Sequence, residues 1–479
     1  MDSGFRPAEP LLWASGGALV FALLLLLGLL ILLMGRGFGY FWPSPLYVLE
    51  NTAGAEGSYL GRVLDEELGQ GGLNRRELLY RGSDTVFAVP LVWLDTASTV
   101  KRVRPEGALV VDRVSEGPVF GFLDALYDGE NWVDLTDRSP TQQATRVRAQ
   151  AESVETLLGP APSLQDQPLL RLRLVSGQIT EVDVEAFAEV YAPNAMSPPE
   201  KLAQFMRNVG RFLSESPRRS NVQGGVFPAI VGTVTLVMLM ALIVSPLGVL
   251  AAIYLQEYAH RGPVTRLVRI AVNNLAGVPS IVYGVFGLGF FVYVIGGSID
   301  ELLFAERLPS PTLGTPGMLW AALTMALLTL PVVVVATEEG LARVPSSQRE
   351  GSLALGATRA ETLWRVVLPA ATPAVLTGLI LAVARATGEV APLILVGVAK
   401  YAPGLPITGE FPYLHLDRQF MHLGFYIYDL GFQSPQLETA EGLVFATALL
   451  LVLIVVGLNL TAVLLRARLR ETFKPEEQE

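Results

Sequence analysis

Two ionisable residues, Arg385 and Glu389, stand one helical turn apart in an otherwise apolar stretch of the sequence. At this spacing their side chains lie on one face of a helix and can form an ion pair. A charge inside a membrane costs about 2.5–3.5 kcal/mol, so the pair indicates a function. An arginine can offer two parallel N–H donors to an oxyanion, and Glu389 can hold it when no anion is bound. The alternative is an ion pair that only fixes this helix to a neighbour.

Three polar residues lie beside an interruption in another apolar stretch. Asn273, Asn274 and Ser280 flank the run Gly277-Val-Pro279. Because a proline frees a backbone carbonyl that lipid cannot satisfy, we expect this bend to face protein or a water-filled cavity. These residues join the charged pair as candidates for a pathway that carries a polar solute.

A third group lies in segment 346–366, which connects two apolar stretches and carries several charges. Gly356 permits a positive φ, so it can end one short helix and let another leave at an angle. The segment therefore predicts a helix–turn–helix on the membrane surface. The simpler interpretation is a loop that only closes a helical hairpin. The residues that could carry a function here are Glu350, Gly351, Ser352, Leu355, Gly356, Leu368 and Pro369.

Six apolar stretches are long enough to cross a bilayer, which takes about 20 residues. With 51% hydrophobic and 17% charged residues among 479, the chain is predicted to be an integral membrane protein. The first stretch has no small-residue cleavage site and is followed by aromatic residues, which predicts an uncleaved span. The expected spans are 11–34, 226–255, 267–295, 316–336, 369–398 and 443–465.

The remaining composition excludes several classes of function. The chain has no cysteine, its three histidines form no cluster at metal-ligand spacing, and its net charge of −10 argues against a nucleic-acid partner. None of its four lysines completes a Gly-x-x-x-x-Gly-Lys-Ser/Thr loop, so nucleotide must be bound elsewhere if ATP drives a process here. We therefore expect no enzyme activity, cofactor or metal in this chain.

Residues 37–223 read as a soluble α+β insertion. An amphipathic pattern predicts a helix over 143–158, alternation around Ser176-Gly177 predicts a hairpin, and the runs 85–94 and 108–114 predict strands. The sequence from Ser197 to Glu200 has the spacing of a capping box and opens another amphipathic helix. That helix either packs on its own domain or lies on the outer membrane surface.

Basic residues concentrate between the second and third spans, between the fourth and fifth, and after the sixth. The positive-inside rule then places both termini and segment 346–366 in the cytoplasm and the insertion in the periplasm. The predicted domains are an N-terminal span at 1–36, the insertion at 37–223, a transmembrane domain at 224–470 and a tail at 471–479.

The segment from Glu350 to Pro369 resembles the coupling motif of ABC importer permeases. That motif reads Glu-Ala-Ala, three residues, Gly, nine residues, Ile, one residue, Leu-Pro. Here Gly351 and Ser352 replace the two alanines and Val366 replaces the isoleucine. In that family the loop docks into a separate ATPase and carries its motion into the membrane.

Two further stretches narrow the resemblance to the PstA family of phosphate-importer permeases. They are Ala382-Val-Ala-Arg-Ala-Thr-Gly-Glu-Val-Ala-Pro392 and Gly277-Val-Pro-Ser-Ile-Val-Tyr-Gly284. The family typically has threonine where this chain has Val390. The resemblance covers about 224–470 and leaves the insertion at 37–223 unmatched.

The resemblance implies an all-α membrane protein of six transmembrane helices in the bacterial inner membrane, with a type I ABC-importer permease core and the α+β periplasmic insertion between its first two helices. It further implies phosphate transport with a homologous PstC-like permease, two PstB-like ATPase subunits that bind ATP and Mg, and a periplasmic PstS-like phosphate-binding protein. The alternatives are a permease for another oxyanion, such as sulfate or molybdate, and a membrane-anchored sensor of a periplasmic ligand.

Overall fold

Six helical segments are long and apolar enough to cross a membrane among the residues that the structure describes. The computed structural model describes residues 9–51, 57–68, 75–87, 89–96, 99–114, 116–127, 131–158, 168–183, 187–218, 221–260, 262–402, 404–434 and 437–472. The six candidate spans are Trp13–Phe41, Phe227–Tyr258, Ser280–Leu303, Met318–Ala342, Arg359–Gly388 and Leu437–Arg468. Since a strand-rich insertion separates the first two, the predicted fold class is confirmed.

The helices are α1 Glu9–Phe41, α2 Pro140–Leu158, α3 Pro198–Ser214, α4 Phe227–Ile253, α5 Pro263–Leu275, α6 Ser280–Phe286, α7 Gly297–Leu303, α8 Met318–Ala342, α9 Ser346–Ala354, α10 Arg359–Thr362, α11 Leu368–Gly388, α12 Leu393–Val396, α13 Leu423–Tyr428 and α14 Leu437–Thr472. π-helical turns follow four of them, at Tyr254–Tyr258, Gly287–Gly296, Leu363–Val367 and Asp429–Gln433. Single π-helical turns inside longer helices are frequent at functional sites.

The third span differs from its predicted bounds of 267–295. The residues before the interruption form the separate helix α5, and the apolar span begins only at Ser280. Pro279 explains the break, because proline lacks the N–H that a continuous helix needs and restricts the residue before it. The fifth span also ends earlier than predicted, since α11 stops at Gly388 and the chain turns before α12.

The insertion is built from antiparallel strands and two helices. The strands are β1 Tyr47–Asn51, β2 Ser58–Leu68, β3 Arg75–Tyr80, β4 Leu91–Asp95, β5 Thr99–Val103, β6 Ala108–Arg113, β7 Val119–Tyr127, β8 Trp132–Val133, β9 Pro168–Arg173, β10 Ile179–Asp183, β11 Phe187–Tyr191, β12 Pro217–Arg218 and β13 Gln223–Gly224. One sheet has the order β4-β3-β2-β1-β5, and the other has the order β10-β9-β7-β6-β11 with β8 added to β7. β12 and β13 form a separate ribbon.

Most local predictions within the insertion are confirmed. β9 and β10 pair as a hairpin whose turn contains Gly177 at φ +81°, and β6 lies on the run 108–114. The strand expected over 85–94 is wrong in its first half, because Phe87 N–H donates to Ser83 O in a turn and β4 begins only after Pro90. α2 begins at Pro140, and the side chains of its second half lie outside the described residues.

Contacts divide the chain into two units, Met1–Val226 with Leu430–Ala446, and Phe227–Asp429 with Thr447–Glu479. In the second unit α8 packs against both α4 and α11. Small residues allow these close approaches: a Cβ on Gly378 would lie 2.6 Å from Ala336 Cβ, and one on Gly248 would lie 2.6 Å from a methyl of Val333. The central helix α8 therefore fixes α11, which carries the charged pair.

Candidate functional site

The charged pair lies where α11 ends. Arg385 is in the last turn of the helix, and Glu389 follows it with extended backbone, at φ −85° and ψ 126°. Arg385 Nε lies 3.5 Å from Glu389 Oε1, and the two side chains are 31% and 24% exposed. The pair is thus formed within this chain, and both of its members remain partly open to the surroundings.

The two stretches that resemble PstA meet at this point. A Cβ on Gly284 would lie 2.7 Å from Pro392 Cα, so α6 packs directly on the turn that follows α11. The hydroxyl of Tyr283, the residue before Gly284, donates to Leu275 O at 2.6 Å. Tyr283 therefore links α6 to the end of α5. Tyr283 and Gly284 belong to one of the stretches that resemble PstA, but they were not among the predicted site residues.

The predicted polar candidates occupy the junction between α5 and α6. Asn273 and Asn274 lie in the last turn of α5 and are exposed, while Ser280 begins α6 and is half-buried. They lie on the same two helices that Tyr283 joins. Their place in a solute pathway stays a prediction.

The helix–turn–helix predicted for segment 346–366 is present. α9 ends at Ala354, Gly356 adopts φ +91°, and α10 begins at Arg359, directly after Thr358. Thr358 caps that helix by accepting from Glu361 N–H at 3.2 Å, while Glu361 accepts from Thr358 N–H at 2.8 Å. The hydroxyls of Ser352 and Thr362 lie 2.9 Å apart and join the two helices across the turn.

The tip of this segment is exposed and its base is anchored. Leu355 is 91% exposed, and Glu350, Gly351 and Gly356 are also exposed. The base buries Leu363 and Val367 in a cluster with the ends of α4, α8 and α11. The last two predicted coupling residues, Leu368 and Pro369, are half-buried at the start of α11.

A second ion pair, which the sequence did not reveal, holds α9 in place. Arg349 Nη1 lies 2.7 and 2.8 Å from the two carboxylate oxygens of Glu257, and its Nη2 donates to Leu341 O at 2.6 Å. The two charged side chains are 25% and 21% exposed. Glu257 lies in the π-helical turn after α4, ninety-two residues from its partner. Only its position at the end of an apolar stretch could have drawn attention to it.

One helix joins the two candidate sites. α11 begins at Leu368, just after segment 346–366, which we call the coupling segment for its resemblance, and carries Arg385 near its other end. At 1.5 Å per residue, their separation of seventeen positions along the helix corresponds to about 26 Å. A displacement of the anchored base can therefore be transmitted along α11 to the charged pair.

Comparison with known proteins agrees with this arrangement. Residues 244–471 match the family described as "Binding-protein-dependent transport system inner membrane component". The phosphate transport system permease protein PstA of Yersinia pestis is 31% identical over 252 residues, which are 52% of this chain and 75% of that protein. This chain belongs to the PstA family of ABC transporter permeases. The family predicted from the sequence is thereby confirmed.

Other relatives extend this result. PstA of Mycobacterium leprae is 38% identical over 37% of this chain and 53% of its own length, so the chain spans about half of that relative. The probable ABC transporter permease YqgI of Bacillus subtilis is 31% identical over 53% of this chain and 81% of its own length. Among solved structures, the MetNI methionine ABC transporter aligns with a TM-score of 0.37 at 18% identity, over 57% of this chain and 99% of that one. A likeness this weak adds no argument to the sequence matches.

Membership of the PstA family confirms two further predictions. The chain is a permease subunit and not itself an enzyme, and it is a multi-pass protein of the inner membrane. The matched region begins after the insertion, which remains outside the family description.

Proposed function

We propose that this chain is a permease subunit of an ATP-driven importer of inorganic phosphate. The observation that carries the proposal is that Arg385, in a partly open pair with Glu389, lies on the same helix that begins at the exposed coupling segment. Coupling in this arrangement requires a rigid connection between the energy source and the site, and α11 supplies it. The substrate, phosphate, is proposed from the names of the PstA relatives, which are phosphate transport permeases.

At the site, Arg385 is the anion-binding group, and Glu389 forms an ion pair with it when no anion is bound. The ion pair joins Nε of Arg385 to the carboxylate, and we assign the Nη1 and Nη2 nitrogens to two phosphate oxygens. Glu389 has extended backbone beyond the end of α11, so its carboxylate can move without unwinding the helix. Asn273, Asn274, Ser280 and Tyr283 add polar contacts on the side formed by α5 and α6.

Energy for transport comes from partner subunits. The chain lacks the lysine-containing loop that cradles nucleotide phosphates, so ATP and Mg bind to two ATPase subunits of the PstB type. The exposed Leu355 and the adjoining turn of the coupling segment dock on one of them. A PstC-like permease completes the membrane unit, and a PstS-like periplasmic protein delivers phosphate.

The orientation follows from the basic residues. Arg349, Arg359 and Arg365 lie in the coupling segment, and further arginines follow the last span. We therefore place the coupling segment and both termini in the cytoplasm and the insertion in the periplasm.

A charge-removal cycle tests the role of Arg385. We expect Arg385→Gln to abolish phosphate uptake while the subunits still assemble, and the double variant with Glu389→Gln to remain inactive. If the pair were only structural, Arg385→Gln would fail because it leaves a carboxylate unpaired, and removing both charges would restore uptake. Restored uptake in the double variant, at a normal membrane level, overturns the proposal.

A further inference from the structure

The helix α3 of the insertion presents three chemically different faces. Its capping box is formed, since Ser197 N–H donates to Glu200 Oε2 at 2.7 Å. One face is polar and turned into the insertion: Gln204 is fully buried, and Arg211 pairs with Glu189 of β11 at 3.4 Å and with Asp112 of β6 at 3.6 Å. These contacts fix the rotation of α3 about its own axis.

A second face packs on the end of α1. The ring of Phe212 lies 5.0 Å from the ring of Phe41, and Phe205 contacts the same ring at 6.2 Å. Asn208 Nδ2 donates to Phe41 O at 2.8 Å and so satisfies a carbonyl at the end of that helix. The helix α3 is therefore attached sideways to the terminus of a membrane-spanning helix.

The third face is aliphatic and uncovered. Leu202, Met206 and Leu213 are 56%, 60% and 38% exposed, and Val209 between them is partly exposed. At 100° per residue these four side chains fall within a sector of about 60°. That sector lies opposite Gln204 and about a quarter turn from the face that contacts α1. The uncovered stripe thus faces away from the insertion, at about a right angle to the contact with α1.

The apolar surface of α1 reaches the edge of this stripe through Phe205, which lies about 40° round α3 from Val209. Phe38, in the last turns of the span, and Trp42, just beyond it, both lie 6.2 Å from Phe205 in ring-centroid distance. Phe38 and Trp42 are themselves 42% and 44% exposed, as expected of aromatic residues at a membrane–water interface. Since lipid must surround the exposed side of α1, lipid also reaches the stripe at its end.

We propose that α3 is an interfacial membrane helix, lying flat in the outer leaflet with Leu202, Met206, Val209 and Leu213 in the acyl boundary. An apolar stripe, a polar face turned away from it and a junction with a spanning helix are the features of such a helix. It anchors the insertion at a fixed height and rotation above the bilayer. This inference does not depend on which solute the permease carries.

The absence of native cysteine makes a direct test possible, because a single introduced cysteine gives one labelling site. The full chain is reconstituted in phosphatidylcholine nanodiscs, with an environment-sensitive fluorophore on Met206→Cys, Leu213→Cys or Ser214→Cys. Ser214 is the matched control, since it is exposed and adjoins Leu213 but lies about 100° further round the helix. Quenching is measured with a nitroxide on the lipid chain and with aqueous iodide.

We expect the labels at positions 206 and 213 to be quenched several-fold more by the lipid nitroxide than by iodide, and the label at 214 to show the reverse. Iodide quenching at 206 and 213 as strong as at 214 would show that the stripe faces water and would overturn the proposal. Protection of both positions from both quenchers would overturn it as well, because a protein surface would then cover the stripe.

Discussion

Replacing Gly356 tests whether ATPase docking requires the positive-φ turn in the coupling segment. Gly356 adopts φ +91°, and a Cβ placed there meets no atom within 4 Å. The effect of Gly356→Ala is therefore confined to the backbone. A left-handed conformation costs a residue with a Cβ about 1–2 kcal/mol. This lowers the population of the observed turn by a factor of about 5–30.

Gly351→Ala is the matched control. Gly351 lies within α9 and also has open space around its Cβ position, but its φ is not positive. Alanine in a helix interior is favoured over glycine by about 1 kcal/mol, so this variant should keep or strengthen α9. Both variants add one methyl group near the tip. Gly356→Ala should destabilise the observed turn, whereas Gly351→Ala should keep or stabilise α9.

The assay is co-purification of the ATPase subunit with each variant, followed by phosphate uptake at matched membrane level. We expect Gly356→Ala to lose most of both signals, Gly356→Val to lose more because a β-branched residue tolerates positive φ poorly, and Gly351→Ala to retain both. Normal co-purification and uptake by Gly356→Ala would show that docking does not require this turn.

Three further variants test the packing around the sites. Glu257→Gln weakens the ion pair that holds α9, so the thermal unfolding temperature should fall by the equivalent of about 1–2 kcal/mol; an unchanged temperature would contradict this role. Gly284→Ala places a Cβ 2.7 Å from Pro392 Cα and should destabilise the fold by about 1–3 kcal/mol. The control Gly289→Ala, whose Cβ would meet no atom within 4 Å, should not destabilise it. Equal unfolding temperatures for the two variants would refute the contact. Burial lowers the pKa of His422 from 6.5 to about 4, so unfolding takes up a proton and stability should fall as pH drops through this window. His422→Asn should flatten that dependence of melting on pH, and an unchanged slope would exclude His422 as its source.

The features that the sequence predicted correctly are local ones. The positive φ of Gly356, the hairpin turn at Gly177 and the first turn of α3 each depend on residues within about four positions of one another. Spacing of four residues likewise anticipated the Arg385–Glu389 pair. In each of these places the side-chain chemistry and the required backbone geometry are set by the same few residues.

The features that escaped prediction depend on contacts between distant segments. Glu257 meets Arg349 across ninety-two residues, and Gly284 meets Pro392 across more than a hundred. Periodicity within one helix does not reveal which neighbour it will face. The pattern of hydrophobic residues also predicted α5 and the third span as one helix. The break at Pro279 is short relative to the apolar stretch around it.

ATP-driven solute uptake into proteoliposomes tests the central claim most directly. The vesicles contain this chain with its partner permease and ATPase subunits, and receive the periplasmic binding protein, ATP and labelled phosphate, sulfate or molybdate in separate reactions. We predict that phosphate accumulates only when ATP is supplied to the ATPase side, and that Arg385→Gln abolishes this accumulation. Accumulation of sulfate or molybdate in place of phosphate would contradict the assigned substrate, and an assembled complex that carries none of the three would contradict the transport function itself.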